Sequence, residues 1–250
     1  MTINIKGWLA LVFFLTKRTL INKKTVIVGI SALLPSFLVM YANSQGLDMN
    51  IEAFSGILEI FVLTFFLLFI PLIYGSSILR SDLENNSITL ILISPLNRPL
   101  VYLGYLVSLL ITVILAMFII TSVGSLTFFL LVGVETATFD IYIKVFALTI
   151  IGSIVYSSLY LTMSLITKKV IYFGLFYAFI WEGFISLFPG SISDFTIRHY
   201  IRSIGSSWIE YSDLGVFEGS DVQTSFLVLI TLTVGLIVLG SYLLHVKEMN

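Results

Sequence analysis

Residues 57–79 read I-L-E-I-F-V-L-T-F-F-L-L-F-I-P-L-I-Y-G-S-S-I-L, an apolar run interrupted by one carboxylate, Glu59. A helix rises about 1.5 Å per residue, so roughly 20 apolar residues cover a hydrocarbon layer about 30 Å thick, and this run suffices. Five more runs of that kind lie at about Thr25–Ala42, Val101–Leu131, Ile141–Thr167, Val170–Pro189 and Gln223–His245, each bounded by polar or turn residues. The whole chain is 58% hydrophobic and 11% charged, with a mean hydropathy of +1.07, far from soluble composition. The expected fold is an all-α membrane protein with six transmembrane helices, forming one domain over residues 1–250. The third run is longer than a crossing requires, and tilt, a kink near Gly124 or an interfacial outer end would each absorb the surplus.

Cations are retained on the cytoplasmic side during insertion. In a six-span arrangement Lys6, Lys17, Arg18, Lys23, Lys24, Arg80, Arg98, Lys168, Lys169 and Lys247 share one side, while Lys144, Arg198 and Arg202 fall at or beyond the other. The expectation is a multi-pass protein of the cell (plasma) membrane with both termini cytoplasmic. The outer segments carry the acids Asp48, Glu52, Glu135, Asp140, Asp194, Glu210, Asp213, Glu218 and Asp221, and the net charge of -1 hides this asymmetry. Nothing in it points to a nucleic-acid partner, and Lys168-Lys169 is read as fixing topology only.

With no cysteine in the chain, disulfides, thiolate metal sites and thiol nucleophiles are excluded. The N-terminal apolar stretch Trp8–Leu15 is followed by Thr16-Lys17-Arg18 rather than by a small-residue cleavage site, which argues against a secretory signal peptide. Eight apolar residues cover about 12 Å of helix, so residues 1–24 are expected to hold an interfacial helix with Trp8 at the headgroups.

The outer segment, residues 190–222, places Ile197, Ile201, Ile204, Trp208 and Tyr211 at steps of four and three, the spacing of one helical face. This predicts a surface or re-entrant helix with Arg198, His199, Arg202, Ser203 and Ser206 facing away and Ser193 or Asp194 capping its start. Pro189-Gly190 breaks the fifth run just before it.

No glycine is followed by lysine, so the phosphate-cradling loop G-x-x-x-x-G-K-[ST] is missing, and there is no H-E-x-x-H or G-x-S-x-G. The chain is therefore not expected to be an enzyme by itself or to hold a metal. His245 reads as interfacial. One acid lies deep: Glu182, in F-Y-A-F-I-W-E-G-F-I-S-L-F-P-G, is about 18 Å from Val170 along a helix. An ionised acid facing lipid there costs roughly 2–3 kcal/mol, so it should face protein or water. Glu182, with Trp181 and Pro189 beside it, is either a pathway or gate residue or a hydrogen-bonded lock near the Pro-Gly break. Glu59 and Lys144, near the outer ends of their spans, are read as snorkelling.

Between the second and third runs, residues 80–100 form a cytoplasmic loop longer than the usual 2–8 residues. Asp82 to Ser87 followed by Ile88 to Ile93 predicts a short helix along the membrane surface, capped by Ser81 or Asp82 and ended by Pro95, and its mixed polarity suits a docking surface.

Asp82-Leu83-Glu84, Ser87-Ile88-Thr89-Leu90, Leu92, Pro95, Arg98 and Gly104, together with Trp181-Glu182-Gly183 to Pro189 and Thr196-Ile197-Arg198-His199-Tyr200, resemble the permeases of type 2 ATP-binding-cassette (ABC) transporters. The likeness extends to the interfacial helix, the six spans and the broken fifth span. It departs at Tyr105, where many members carry Lys, and at Asn85-Asn86, where the segment is one residue longer. The resemblance implies a half-transporter permease, commonly an exporter, in which two copies or one copy and a related permease enclose the path within membrane lipid. Separate ABC ATPase subunits would carry ATP and Mg, with no cofactor on this chain. Asp82, Leu83, Glu84, Asn85, Asn86, Ser87, Thr89, Leu90, Pro95 and Arg98 would then form the ATPase-coupling element. Two other classes remain open: a proton- or ion-coupled secondary transporter or channel using Glu182, and an intramembrane enzyme or membrane scaffold.

Overall fold

A computed structural model describes residues 5–47, 50–85, 87–92, 97–187, 192–209 and 219–247. Among them every regular element is helical. The first, α1 (Ile5–Leu20), is followed by α2 (Lys23–Ser31) and α3 (Leu33–Ser44). Asn22 opens α2 by accepting from the Lys24 amide, and the chain turns at Ala32, just ahead of Pro35. Pro35 has no amide to give and its ring crowds the carbonyl four residues back, which accounts for the break.

The stretch Ile51–Glu84 is almost continuous: α4 (Ile51–Ile57), a π-helical segment Leu58–Phe66, α5 (Leu67–Ile78) and α6 (Arg80–Glu84). Asn50 caps it through the Ala53 amide, and the π segment ends one turn before Pro71, where the regular ladder loses a donor. After Asn85 comes α7 (Ser87–Leu92). The surface helix expected from Asp82 to Ile93 is thus two pieces, the first continuing the second span, with no side-chain cap at its start.

Helix α8 (Arg98–Val132) runs through Gly124 unbroken, and Gly133 ends it at φ 104°, a backbone conformation that needs glycine. Its 35 residues cover about 52 Å, well beyond a hydrocarbon layer. Gly124 is where Pro35 packs, so it serves contact and not a kink. Next comes α9 (Thr136–Ile166), opened by the Glu135–Thr138 capping box. After it come α10 (Val170–Phe176), a second π segment Tyr177–Phe184 and 3-10 turns at Ile185–Leu187 and Ser193–Phe195. Helices α11 (Ile197–Trp208) and α12 (Val222–Lys247) complete the described chain.

Five helices are long and apolar enough to cross a membrane: Lys23–Ser44, Ile51–Glu84, Arg98–Val132, Thr136–Ile166 and Val222–Val246. The protein is a multi-pass, all-helical membrane protein. Where the sequence predicted a fifth run from Val170 to Pro189, the apolar helix is shorter, Val170–Phe184, about 22 Å. Residues 188–191, which include Pro189, lie outside the described residues. Helix α9 is the centre of the bundle: 67% of its apolar window is buried, against 22% for the first and last spans. Close approach depends on glycines, as membrane helix packing generally does: Gly152 faces Leu67 and Ile201, Gly174 faces Leu72, and Gly240 faces Tyr102.

Helix α1 lies lengthwise on α8. Trp8 Nε1 donates to the Leu100 carbonyl at 2.9 Å, Leu11 sits on Gly104, and Thr16 Oγ1 donates to Ser108 Oγ at 3.0 Å, so the two helices advance together. Leu9, Phe13 and Phe14 remain exposed as an apolar strip.

Candidate functional site

Charged side chains gather at the two ends of the bundle. At the basic end, Arg18 in the last turn of α1 donates to both oxygens of Asp82, 2.8 Å each, and reaches the Ile78 carbonyl at 3.3 Å. Tyr105 OH donates to Asp82 Oδ2 at 2.6 Å. The Asp82 carboxylate is 2% exposed and is satisfied by a cation and a hydroxyl, as a buried charge requires. Its hydrogen bond also holds the Arg18 guanidinium above its ordinary pKa, against the opposing effect of burial. The outcome is one polar clamp joining α1, α6 and α8.

Around that clamp, Arg80 pairs with Glu84 one turn on at 2.8 Å, and Arg98 Nη1 donates to the His245 carbonyl at 3.1 Å, tying α8 to the end of α12. The expected coupling residues therefore separate. Asp82 is turned inward, Leu83 and Ser87 are half-buried, and Glu84 and Asn85 are exposed. Arg98 is half-buried at the start of α8. Asn86 and Pro95, and the side chains of Thr89 and Leu90, lie outside the described residues.

At the acidic end, Glu182 is fully buried. Its Oε1 accepts from the Ile197 amide at 2.9 Å and from Tyr177 OH, and its Oε2 accepts from the Arg198 amide at 2.9 Å. These are the first two amides of α11, which have no acceptor inside their own helix. Thr196 takes the third, from His199, at 3.2 Å. The Glu182 carboxyl thus sits on a helix N-terminus, where the helix dipole favours negative charge. Its backbone donors come from the helix that follows the fifth run. Trp181 supports it by donating from Nε1 to the Phe195 carbonyl at 3.0 Å.

Three expectations are corrected here, for Glu59, for His199 with Ser203, and for the cap of α11. Glu59 does not snorkel: it is 7% exposed and its Oε1 lies 3.3 Å from Arg202 Nε on α11. Lys144 pairs with Asp140 one turn back along α9. His199 and Ser203 were expected to face away with the polar side of α11, yet both are buried. His199 Nε2 sits 3.1 Å from Ser220 Oγ and 3.3 Å from Asp194, while Ser203 Oγ accepts from the Ser220 amide at 3.1 Å, so this side of the helix meets the segment leading into α12. Thr196, not Ser193 or Asp194, caps the helix. The apolar face Ile197, Ile201, Ile204 is buried as expected, and Tyr211 lies outside the described residues.

Glu59 and Glu182 both sit in π segments and both meet α11, with Glu59, Tyr156, Arg198 and Arg202 lining a cavity of about 10 Å³, room for about one water. Sequence reasoning missed Arg18, Tyr105 and the Glu59–Arg202 pair. Arg198 and Arg202, four apart on a helix near two membrane acids, were the signal for the last. Among the described residues no group of three or more His, Asp or Glu is placed to hold a metal. No protein-family profile matches the chain, and no curated protein matches its sequence.

Proposed function

We propose that this chain is the membrane-spanning permease subunit of an ATP-driven ABC transporter, an exporter, with six crossings and both termini cytoplasmic. Two copies, or one copy and a related permease, enclose the substrate path, and separate ABC ATPase subunits dock on the basic face. ATP and Mg belong to those subunits.

The observation that carries the reading is the Arg18–Asp82–Tyr105 clamp. A coupling element needs an outward side for the partner and a rigid inward attachment to the moving helices. Glu84 and Asn85 supply the outward side, with Leu83 at its edge. Asp82 supplies the attachment, because a push on α6 is passed through a bidentate ion pair into α1 and through a hydroxyl into α8. Tyr105, where the resemblance expects Lys, serves here as a neutral donor while Arg18 provides the charge. Nucleotide can drive transport only if the docked ATPase prefers one of two membrane conformations, and a stiff joint lets that preference reach the helices.

Glu182 fits a positioning role better than an ion site. Its two oxygens accept three bonds from protein groups, and releasing it to carry a proton would strand two amides of α11. This favours the permease over a proton-coupled carrier.

The test is the double substitution Leu83→Asp with Glu84→Lys, made in the chain together with its ATPase. Transport should fall at least tenfold while ATP hydrolysis and membrane insertion persist. Unchanged transport at normal expression would refute the assignment.

A further inference from the structure

The lysine pair between α9 and α10 forms part of a cavity. Between the basic ends of α5 and α10 lies an open cavity of about 260 Å³. Ser76, Ser77 and Ser81 leave it room, and Arg80, Lys168 and Lys169 bring its charge. Among the described residues Glu84 is the one acid on its wall, so three cations less one acid leave +2.

Arg80 makes this more than a patch of surface lysines. Its side chain is 10% exposed, and its Nε is committed to Glu84. Its two terminal nitrogens make no hydrogen bond among the described residues, and the residue lines the cavity. A buried guanidinium with idle donors at a cavity wall calls for an anion with several acceptor oxygens, and phosphate answers that need. The remaining wall names the source. Ile171 and Tyr172, 50% and 73% exposed, lie in the first turn of the apolar helix α10, so the cavity continues onto an exposed apolar surface that suits acyl chains, and tyrosine is a residue type enriched at membrane interfaces.

We infer that this cavity binds the phosphate headgroup of an anionic phospholipid, with Arg80, Lys168 and Lys169 on the phosphate and the acyl chains along Ile171 and Tyr172. Basic pockets between membrane helices commonly serve such headgroups. The inference stands apart from the transport reading, since it requires no ATPase. It also gives Lys168-Lys169 a role beyond setting topology.

The full-length protein, delipidated in mild detergent and titrated with phosphatidylglycerol or phosphatidylcholine, tests it by native mass spectrometry. One phosphatidylglycerol per chain should be retained in preference to phosphatidylcholine. Lys168→Gln with Lys169→Gln should weaken that retention on the order of 30-fold, from a factor of about five per cation, while Lys168→Arg with Lys169→Arg keeps it. Both lysines are exposed, so the glutamine variant leaves the packed core untouched. Equal retention of the two lipids, or no change in the glutamine variant, would overturn the site. Displacement of phosphatidylglycerol by an equal concentration of soluble glycerol phosphate would overturn the lipid as its occupant.

Discussion

Arg18 and Asp82, 64 residues apart in sequence, are joined by two bonds of 2.8 Å each between one guanidinium and one carboxylate. The pair is unequal, because the arginine side chain is 36% exposed and the aspartate only 3%. The consequences of breaking it are therefore unequal too.

Arg18→Met leaves a buried carboxylate facing only the hydroxyls of Tyr105, at 2.6 Å, and Ser87, at 3.5 Å, whereas Asp82→Asn leaves a guanidinium that can turn to water. A broken buried pair costs about 3–5 kcal/mol, and the exposure of Arg18 reduces this to roughly 2 kcal/mol for Arg18→Met and about 1 kcal/mol for Asp82→Asn. Thermal unfolding in detergent should rank wild type above Asp82→Asn above Arg18→Met. The reverse order of the two variants would show that Asp82 does not depend on Arg18.

Glu182→Gln puts an amide NH2 where the α11 amides need an acceptor. Hydrogen bonds to a charged partner are worth about 1.5–3 kcal/mol, so amide exchange at residues 197–199 should accelerate by roughly 10- to 100-fold, with α8 unaffected. Wild-type protection at those amides would mean that Glu182 does not hold the helix.

Gly152 lies where α9 meets Leu67 of α5 and Ile201 of α11. Gly152→Val should destabilise the protein by about 1–3 kcal/mol through overpacking, and a compensating Ile201→Ala should recover part of the loss. Failure of Ile201→Ala to restore any stability would place the strain elsewhere.

His199 lies outside the membrane-length helices, and burial holds its imidazole below the usual pKa while Asp194 opposes that shift. Tyr200 stacks edge-on at 5.3 Å and Ser220 meets Nε2. A depressed folded pKa means that the native state binds fewer protons than the unfolded one below about pH 6.5. The contribution of His199 to stability is thus complete above pH 6.5 and is lost as pH falls towards the folded pKa. Unfolding temperature should drop on acidification to pH 5.5 by more in wild type than in His199→Gln; parallel drops would exclude the imidazole.

Much of this architecture is written in apolar periodicity. The crossings at 25–42, 101–131, 141–167 and 223–245 each fall within a described helix or its near-continuous extension, because a run of twenty apolar residues has no other stable form in lipid. The Ile197–Ile201–Ile204 face of α11 was legible for the same reason. The π segments were not, since they answer to Pro71 and to the demands of Glu59 and Glu182 on a neighbouring helix. Nor was the inward turn of Asp82, His199 and Ser203, whose partners Arg18 and Ser220 are set by tertiary packing. A polar residue in sequence carries no mark that tells a docking side chain from a clamped one.

The docking claim is tested most directly by a photo-crosslinking residue, benzoylphenylalanine, placed at Glu84 on the basic face and separately at Phe195 at the opposite end. Adducts with an ATPase subunit bearing the phosphate loop should form from position 84 and not from 195. Adducts from 195, or none from 84 in a complex that transports, would contradict the account.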